Sequence, residues 1–197
     1  MRTLKEYAKI VNERLENVIP AFDEGAFSIG EMPWLLSKSM NYSLSAGGKR
    51  LRPSMLLAAV EMMGGEASEC IDFACSVEMI HTYSLIHDDL PGMDNDTLRR
   101  GRPTNHVVYG EGQAILAGDG LLTYAFECVL GDASRRGAEA ALRHMRALGH
   151  IASAAGCGGM VAGLADYLWQ YPRVMSIFWF VFAVSLAGVK VCSREAE

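Results

Sequence analysis

The chain has 197 residues, half of them apolar, and a formal net charge of −5; that is enough for one domain with a proper core and argues against two. The charge balance gives no footprint for nucleic-acid binding and favours a small-molecule partner. Five cysteines, Cys70, Cys75, Cys128, Cys157 and Cys192, form no CxxC pair, which argues against a zinc site or disulfide framework and for reduced thiols in a cytoplasmic protein.

The amino terminus carries charges throughout and has no uninterrupted apolar core, so it does not read as a secretory signal. Leu4, Tyr7, Ala8, Val11, Leu15 and Val18 recur at helical spacing and predict an amphipathic first helix. Pro20 and Gly25 break it, and a second helix is expected near Met32, with Pro33 early and Trp34, Leu35, Leu36 and Met40 as core or subunit contacts. The glycine-rich turn SAGGKR leads to Pro53, after which SMLLAAVEMM reads as a buried helix stopped by Gly64 and Gly65. Lys49 and Arg52 at this entry suit helix-flanking solvation. They suit an anion pocket as well, because a glycine pair lets backbone approach a ligand closely.

From Ser68 the residues Ile71, Phe73, Ala74, Val77, Ile80, Leu85 and Ile86 mark a helix with a buried face, placing His81, Ser84 and Asp88 on one side. Pro91 and Gly92 stop it, so Asp94 need not be far from Asp88 in space. The following stretch packs Asp88, Asp89, Asp94 and Asp96 beside Arg99, Arg100 and Arg102. Carboxylates gathered at a helix end repel one another unless a cation sits between them. Oxygen ligands without His or Cys favour a hard ion such as Mg²⁺, and arginine forks suit diphosphate oxygens. The alternative is a solvated loop whose acidic and basic residues pair; for the cluster as a unit the metal–diphosphate reading is favoured.

Further on, Thr104 is placed to cap a short segment, and Gly112–Leu130 reads as a long apolar helix with Asp119 inside it. A buried carboxylate there needs a partner, and a structural hydrogen bond suffices to explain it. Residues 134–150 are amphipathic, and AAGCGGMVAGLAD restarts with small residues that permit close helix packing.

Three stretches carry a resemblance. EMIHTYSLIHDDLPGMDNDTLRRGRPTNH resembles the first aspartate-rich motif of the trans-isoprenyl diphosphate synthases, the polyprenyl synthetase family, in the longer form found in bacterial farnesyl and plant geranylgeranyl diphosphate synthases. GGKRLRP at Gly47–Pro53 and AILAGDGLLTYAFE at Ala114–Glu127 are similar to two further signatures of that family, in the same order. The likeness covers residues 1–167, taken as a partial polyprenyl synthetase domain. The GMVAGLAD helix departs from the pattern, with Leu164 where the family has Gln, and Asp166 two residues later.

The resemblance implies an all-α fold: the amino-terminal part of a large helical bundle of the isoprenyl diphosphate synthase type, homodimeric, without a membrane partner. Helical periodicity and the lack of a sustained alternating strand pattern agree with it. It also implies head-to-tail prenyl transfer, in which isopentenyl diphosphate is joined to dimethylallyl or geranyl diphosphate. By resemblance Asp88, Asp89 and Asp94 are catalytic, with Mg²⁺ on Asp88 and Asp94. Lys49, Arg52, His81 and Arg100 hold isopentenyl diphosphate, and Arg99 the allylic diphosphate. Tyr83 and Ser84 lie where the family sets the floor of the product cavity, and a tyrosine there favours the C15 product, farnesyl diphosphate.

Residues 168–197 form a divergent apolar tail, and the family's second aspartate-rich motif has no counterpart in it. Val174–Val189 has no charge but is short of the ~18–20 residues that span a bilayer. A marginal membrane segment, a buried helix and a reading-frame change are all readings of it, and the last best explains an abrupt end of similarity. The alternative function is accordingly a catalytically inactive fragment or a non-catalytic partner subunit.

Overall fold

The computed structural model describes residues 2–21 and 33–157. The expectations for Met32, Leu164, Asp166, Cys192, the domain boundary at 167 and the 174–189 segment lie outside those residues. The described elements, in chain order, are α1 (Leu4–Leu15), α2 (Trp34–Leu44), α3 (Leu51–Met62), a 3-10 turn (Ala67–Cys70), α4 (Ile71–Asp88), β1 (Leu98–Arg99), β2 (Arg102–Pro103), α5 (Asn105–Tyr109), α6 (Glu111–Ser134) and α7 (Ala138–Ala155). The fold is all-α, as its sequence pattern predicts.

The bundle is built around α4, which packs against α1, α2, α3 and α6. Phe73, Ala74, Cys75, Val77, Met79, Ile80 and Ile86 are all buried, so the helix is covered on almost every side, as a helix apolar all round must be. Its buried polar groups have partners: Ser76 Oγ donates to Phe73 O at 2.9 Å, Thr82 Oγ1 to Glu78 O at 2.8 Å, and Asp72 accepts from Arg14 Nε at 2.8 Å. Residues Ala114, Ala117, Gly118, Leu121, Ala125 and Val129 of α6 are buried at helical spacing. Their small side chains bring the backbones of α4 and α6 close. By length and composition alone α6 is able to cross a membrane, but this face is a core face.

Local chemistry sets the ends. Thr3 and Glu6 form a reciprocal capping box at the start of α1, and Tyr7 Oη donates to Glu61 of α3 at 2.6 Å. The helix expected after Pro53 already begins at Leu51. Pro53 therefore sits in the first turn, where a missing N–H costs nothing. Thr104 occupies the cap position of α5, yet its hydroxyl donates to Asp96 O at 2.8 Å, lies 3.1 Å from His106 Nδ1 and accepts no backbone N–H of the helix.

One expectation fails. Cys75 and Cys128 are free thiols whereas Cys70 is disulfide-bonded, so the cysteines are not all reduced. The aspartate-rich loop also carries a small antiparallel hairpin, with Leu98 opposite Pro103 and Arg99 opposite Arg102. Its two turn residues, Arg100 and Gly101, have φ of 54° and 77°. A tight two-residue turn demands positive φ at both positions, and an arginine does not announce that conformation.

Candidate active site

The site lies along the carboxyl-terminal half of α4. Seven residues separate His81 from Asp88, about 10 Å along a helix axis, and each end carries a different chemistry.

At one end is a cationic pocket. Lys49, Arg52, His81 and Arg100 line a cavity of about 440 Å³ together with Arg50 and Glu78. Four of the sequence-predicted ligands thus come together from the turn before α3, from the first turn of α3, from α4 and from the hairpin. Burial, reinforced by Arg52, Arg100, Arg50 and Arg99, pushes the His81 imidazole down to about 3. His81 is therefore neutral near pH 7 and offers one N–H donor and one acceptor. Burial also lowers Arg52 and Arg100, and Glu78 opposes that fall in both.

The glycine pair gives close access to a side chain of the protein itself. Arg100 Nη1 donates to Gly47 O, and a Cβ at Gly48 would stand 2.6 Å from that nitrogen. Gly47 and Gly48 have φ of 78° and 138°, a region that glycine enters freely.

At the other end is a corner of carboxylates. The chain leaves α4 at Asp88, and Asp94 N donates back to Asp88 O at 2.8 Å, so the two residues are adjacent despite the six-residue gap. Leu90 O accepts from the N–H groups of Met93 and Asn95 at 2.9 and 3.1 Å, which closes the loop. Asp94 is exposed and Asp88 half-buried. Asp89 differs: only 3% exposed, it accepts Arg99 Nε at 2.8 and 2.9 Å and Nη2 at 2.5 Å. That fork raises Arg99 above its ordinary value despite partial burial. Arg99 also lies 3.6 Å from Asp96.

Among the described residues no three His, Cys, Asp or Glu side chains converge as a metal-binding group. Asp88 and Asp94 make an oxygen-only pair, and one or two carboxylates completed by water and phosphate oxygens are the usual Mg²⁺ donor set. The residues present fit such an ion.

Tyr83 is half-buried, raised by burial and by Asp88 and Asp119, and stands edge-on to His87 with ring centroids 5.5 Å apart. Ser84 Oγ turns back to donate to His81 O at 2.9 Å. Asp119, expected to be buried, has a side chain 61% exposed and lies 3.8 Å from His87 Nε2. The helical period of α6 puts Gly118, not Asp119, against α4.

Sequence reasoning passed over Glu78, which forms a buried pair with Arg50 at 2.6 Å. The available signal was Glu78 itself, a charge within an otherwise apolar helical run, because an acidic group so placed needs a partner.

Comparison with known proteins shows the family. A family model described as polyprenyl synthetase matches residues 33–161, more than half of the chain. Similar proteins include a farnesyl diphosphate synthase of Geobacillus stearothermophilus, 56% identical over 135 residues, covering 68% of this chain and 45% of that protein. A heterodimeric geranylgeranyl pyrophosphate synthase large subunit 1 of Arabidopsis thaliana is 50% identical over 156 residues, 79% of this chain and 39% of that one. Among solved structures, an FPP/GFPP synthase from Zymomonas mobilis aligns with TM-score 0.79 and 27% identity, over 94% of this chain and 69% of that chain. The chain spans less than half the length of these two curated relatives. By its matched family model, its relatives and its fold, the chain belongs to the polyprenyl synthetase family.

Proposed function

We propose that the protein performs head-to-tail prenyl transfer, condensing isopentenyl diphosphate with dimethylallyl or geranyl diphosphate to give farnesyl diphosphate. One observation carries this reading. The cationic pocket and the carboxylate corner lie along the same half of α4, bridged by a hairpin whose Arg99 binds Asp89 and whose Arg100 binds Gly47.

In this mechanism Lys49, Arg52, Arg100 and neutral His81 hold the diphosphate of isopentenyl diphosphate. Asp88 and Asp94 bind Mg²⁺, which supplies charge neutralisation on the leaving diphosphate. Asp89 fixes Arg99, and Arg99 presents its remaining donor edge to the allylic diphosphate. Departure of that diphosphate leaves an allylic cation, which the isopentenyl double bond attacks; loss of a proton completes the product. Tyr83, five residues before Asp88 on α4, ends the cavity at C15. The relatives' names include both farnesyl and geranylgeranyl diphosphate synthases, and the tyrosine is what favours the shorter product. The reading includes a homodimer, supported by the exposed apolar residues Val107, Val108, Ile115 and Leu116 on α5 and α6.

The test is incubation of the purified chain with Mg²⁺, radiolabelled isopentenyl diphosphate and geranyl diphosphate, with chromatography of the dephosphorylated products. Farnesol above an Asp88→Ala control is the expected result. No product from a folded helical chain counts against this reading.

A further inference from the structure

Arg50 stands between two ligands of the cationic pocket, Lys49 and Arg52, yet it is 5% exposed and points inward. All of its guanidinium nitrogens are taken. Nη1 donates to Glu78 Oε1 at 2.6 Å, Nε to Asn12 Oδ1 at 2.9 Å and Nη2 to Leu44 O at 2.8 Å. Those acceptors belong to α4, α1 and the last residue of α2. The backbone at Arg50 is left-handed, φ 47° and ψ 35°, a conformation disfavoured for a residue with a side chain and retained only where its surroundings enforce it. Glu78 precedes His81 by three residues on α4, so the anchor of the turn and one of the pocket's polar groups share a helix face. Among the described residues Glu78 is also the only acidic one lining this pocket. Paired with Arg50 it contributes no net charge, leaving Lys49, Arg52 and Arg100 as the cations facing the cavity.

We propose that the buried Arg50–Glu78 pair positions the diphosphate-binding turn. Arg50 is a positioning residue that ties the turn to three helices and thereby aims Lys49 and Arg52 into the pocket, while itself touching no substrate. Lysine cannot replace it, because a single ammonium does not present a planar fork that spans acceptors on three elements. The inference rests on the reading of the pocket as a diphosphate site, and the experiment separates the two.

Calorimetric titration with inorganic pyrophosphate is run on the wild-type chain and on Arg50→Met/Glu78→Leu, which removes both charges at once and leaves the net charge unchanged. Replacing a buried ion pair by apolar residues of similar volume commonly preserves folding. The expected result is a helical spectrum and thermal midpoint close to wild type, with pyrophosphate affinity down at least tenfold. Wild-type affinity in the folded double variant overturns the inference. If that variant fails to fold, Arg50→Lys provides the same test: a tenfold loss at an unchanged midpoint supports the role, and undiminished binding overturns it. Lys49→Ala/Arg52→Ala is the control on the pocket. Should it bind pyrophosphate as the wild type does, the diphosphate reading itself fails and the inference with it.

Discussion

Gly118 brings α6 against His87 near the carboxyl-terminal end of α4, and replacing it with alanine tests the packing there. A Cβ at Gly118 would stand 2.1 Å from His87 Nε2, 2.4 Å from Cδ2 and 3.0 Å from Cε1, against roughly 3.5 Å for an ordinary carbon contact. The imidazole must therefore move by more than an ångström. It is held by Ile115 O at 3.2 Å from Nε2 and by the edge-on Tyr83 ring. Forcing an extra methyl group into a packed contact costs about 1–3 kcal/mol, while Gly→Ala in a helix interior returns about 1 kcal/mol. The expected net effect is a loss of about 0–2 kcal/mol, measured by urea unfolding followed by circular dichroism. A double-mutant cycle isolates the cause: His87→Ala removes the clashing ring, so Gly118→Ala in that background recovers the helix-propensity gain, with a coupling energy of about 1–3 kcal/mol. If Gly118→Ala alone stabilises the chain by the full ~1 kcal/mol and the cycle shows no coupling, the close approach of α4 and α6 is misjudged.

Three further outcomes are expected. Gly48→Ala strains a positive-φ position and displaces the Arg100 guanidinium, so titration should show pyrophosphate binding weakened about tenfold, as for loss of one charge-assisted hydrogen bond of about 1.5 kcal/mol; unchanged affinity counts against Arg100 as a ligand. His81 is held near 3 in the fold against about 6.5 when unfolded, so the unfolded chain binds the extra proton and stability falls as pH drops from about 6.5 toward 3. His81→Gln should therefore move the acid-unfolding midpoint to lower pH, and a midpoint that stays put refutes the burial argument. Tyr83→Ala should lengthen the product from farnesol toward geranylgeraniol on chromatography; an unchanged product removes the basis for the C15 reading.

Periodicity was informative wherever burial alone decides structure. It revealed α4 with its stop at Pro91 and Gly92, and the return of Asp94 toward Asp88 followed from that stop. It was silent where a side chain does what its type seldom does. Arg100 turns a hairpin in a glycine-like conformation because docking on Gly47 holds it there, and Arg50 adopts the left-handed region because three helices grip its guanidinium. Neither cause is local in sequence. Asp119 was misread because a carboxylate flanked by glycines in an apolar run looks buried, although Gly118 faces His87 and Gly120 faces Met40 on different sides of α6, and Asp119 sits on the open arc between them. Thr3 and Glu6 have the spacing of a capping box, a local signal that the reading of the first helix from its apolar residues did not use. Asp89 and Asp88 are neighbours of identical type whose different fates depend on Arg99, ten residues downstream.

The hairpin has a mechanical consequence. Arg99 and Arg100 are consecutive, and they take hold of opposite ends of the site, one at Asp89 and the other at Gly47. Neighbouring Cα atoms lie about 3.8 Å apart, a distance no side-chain rearrangement alters. The hairpin therefore works as a gauge block between the two ends: one residue inserted in its turn would change the spacing and the handedness of presentation together. Tolerance for insertions in this loop should accordingly be far lower than its exposure on the surface suggests.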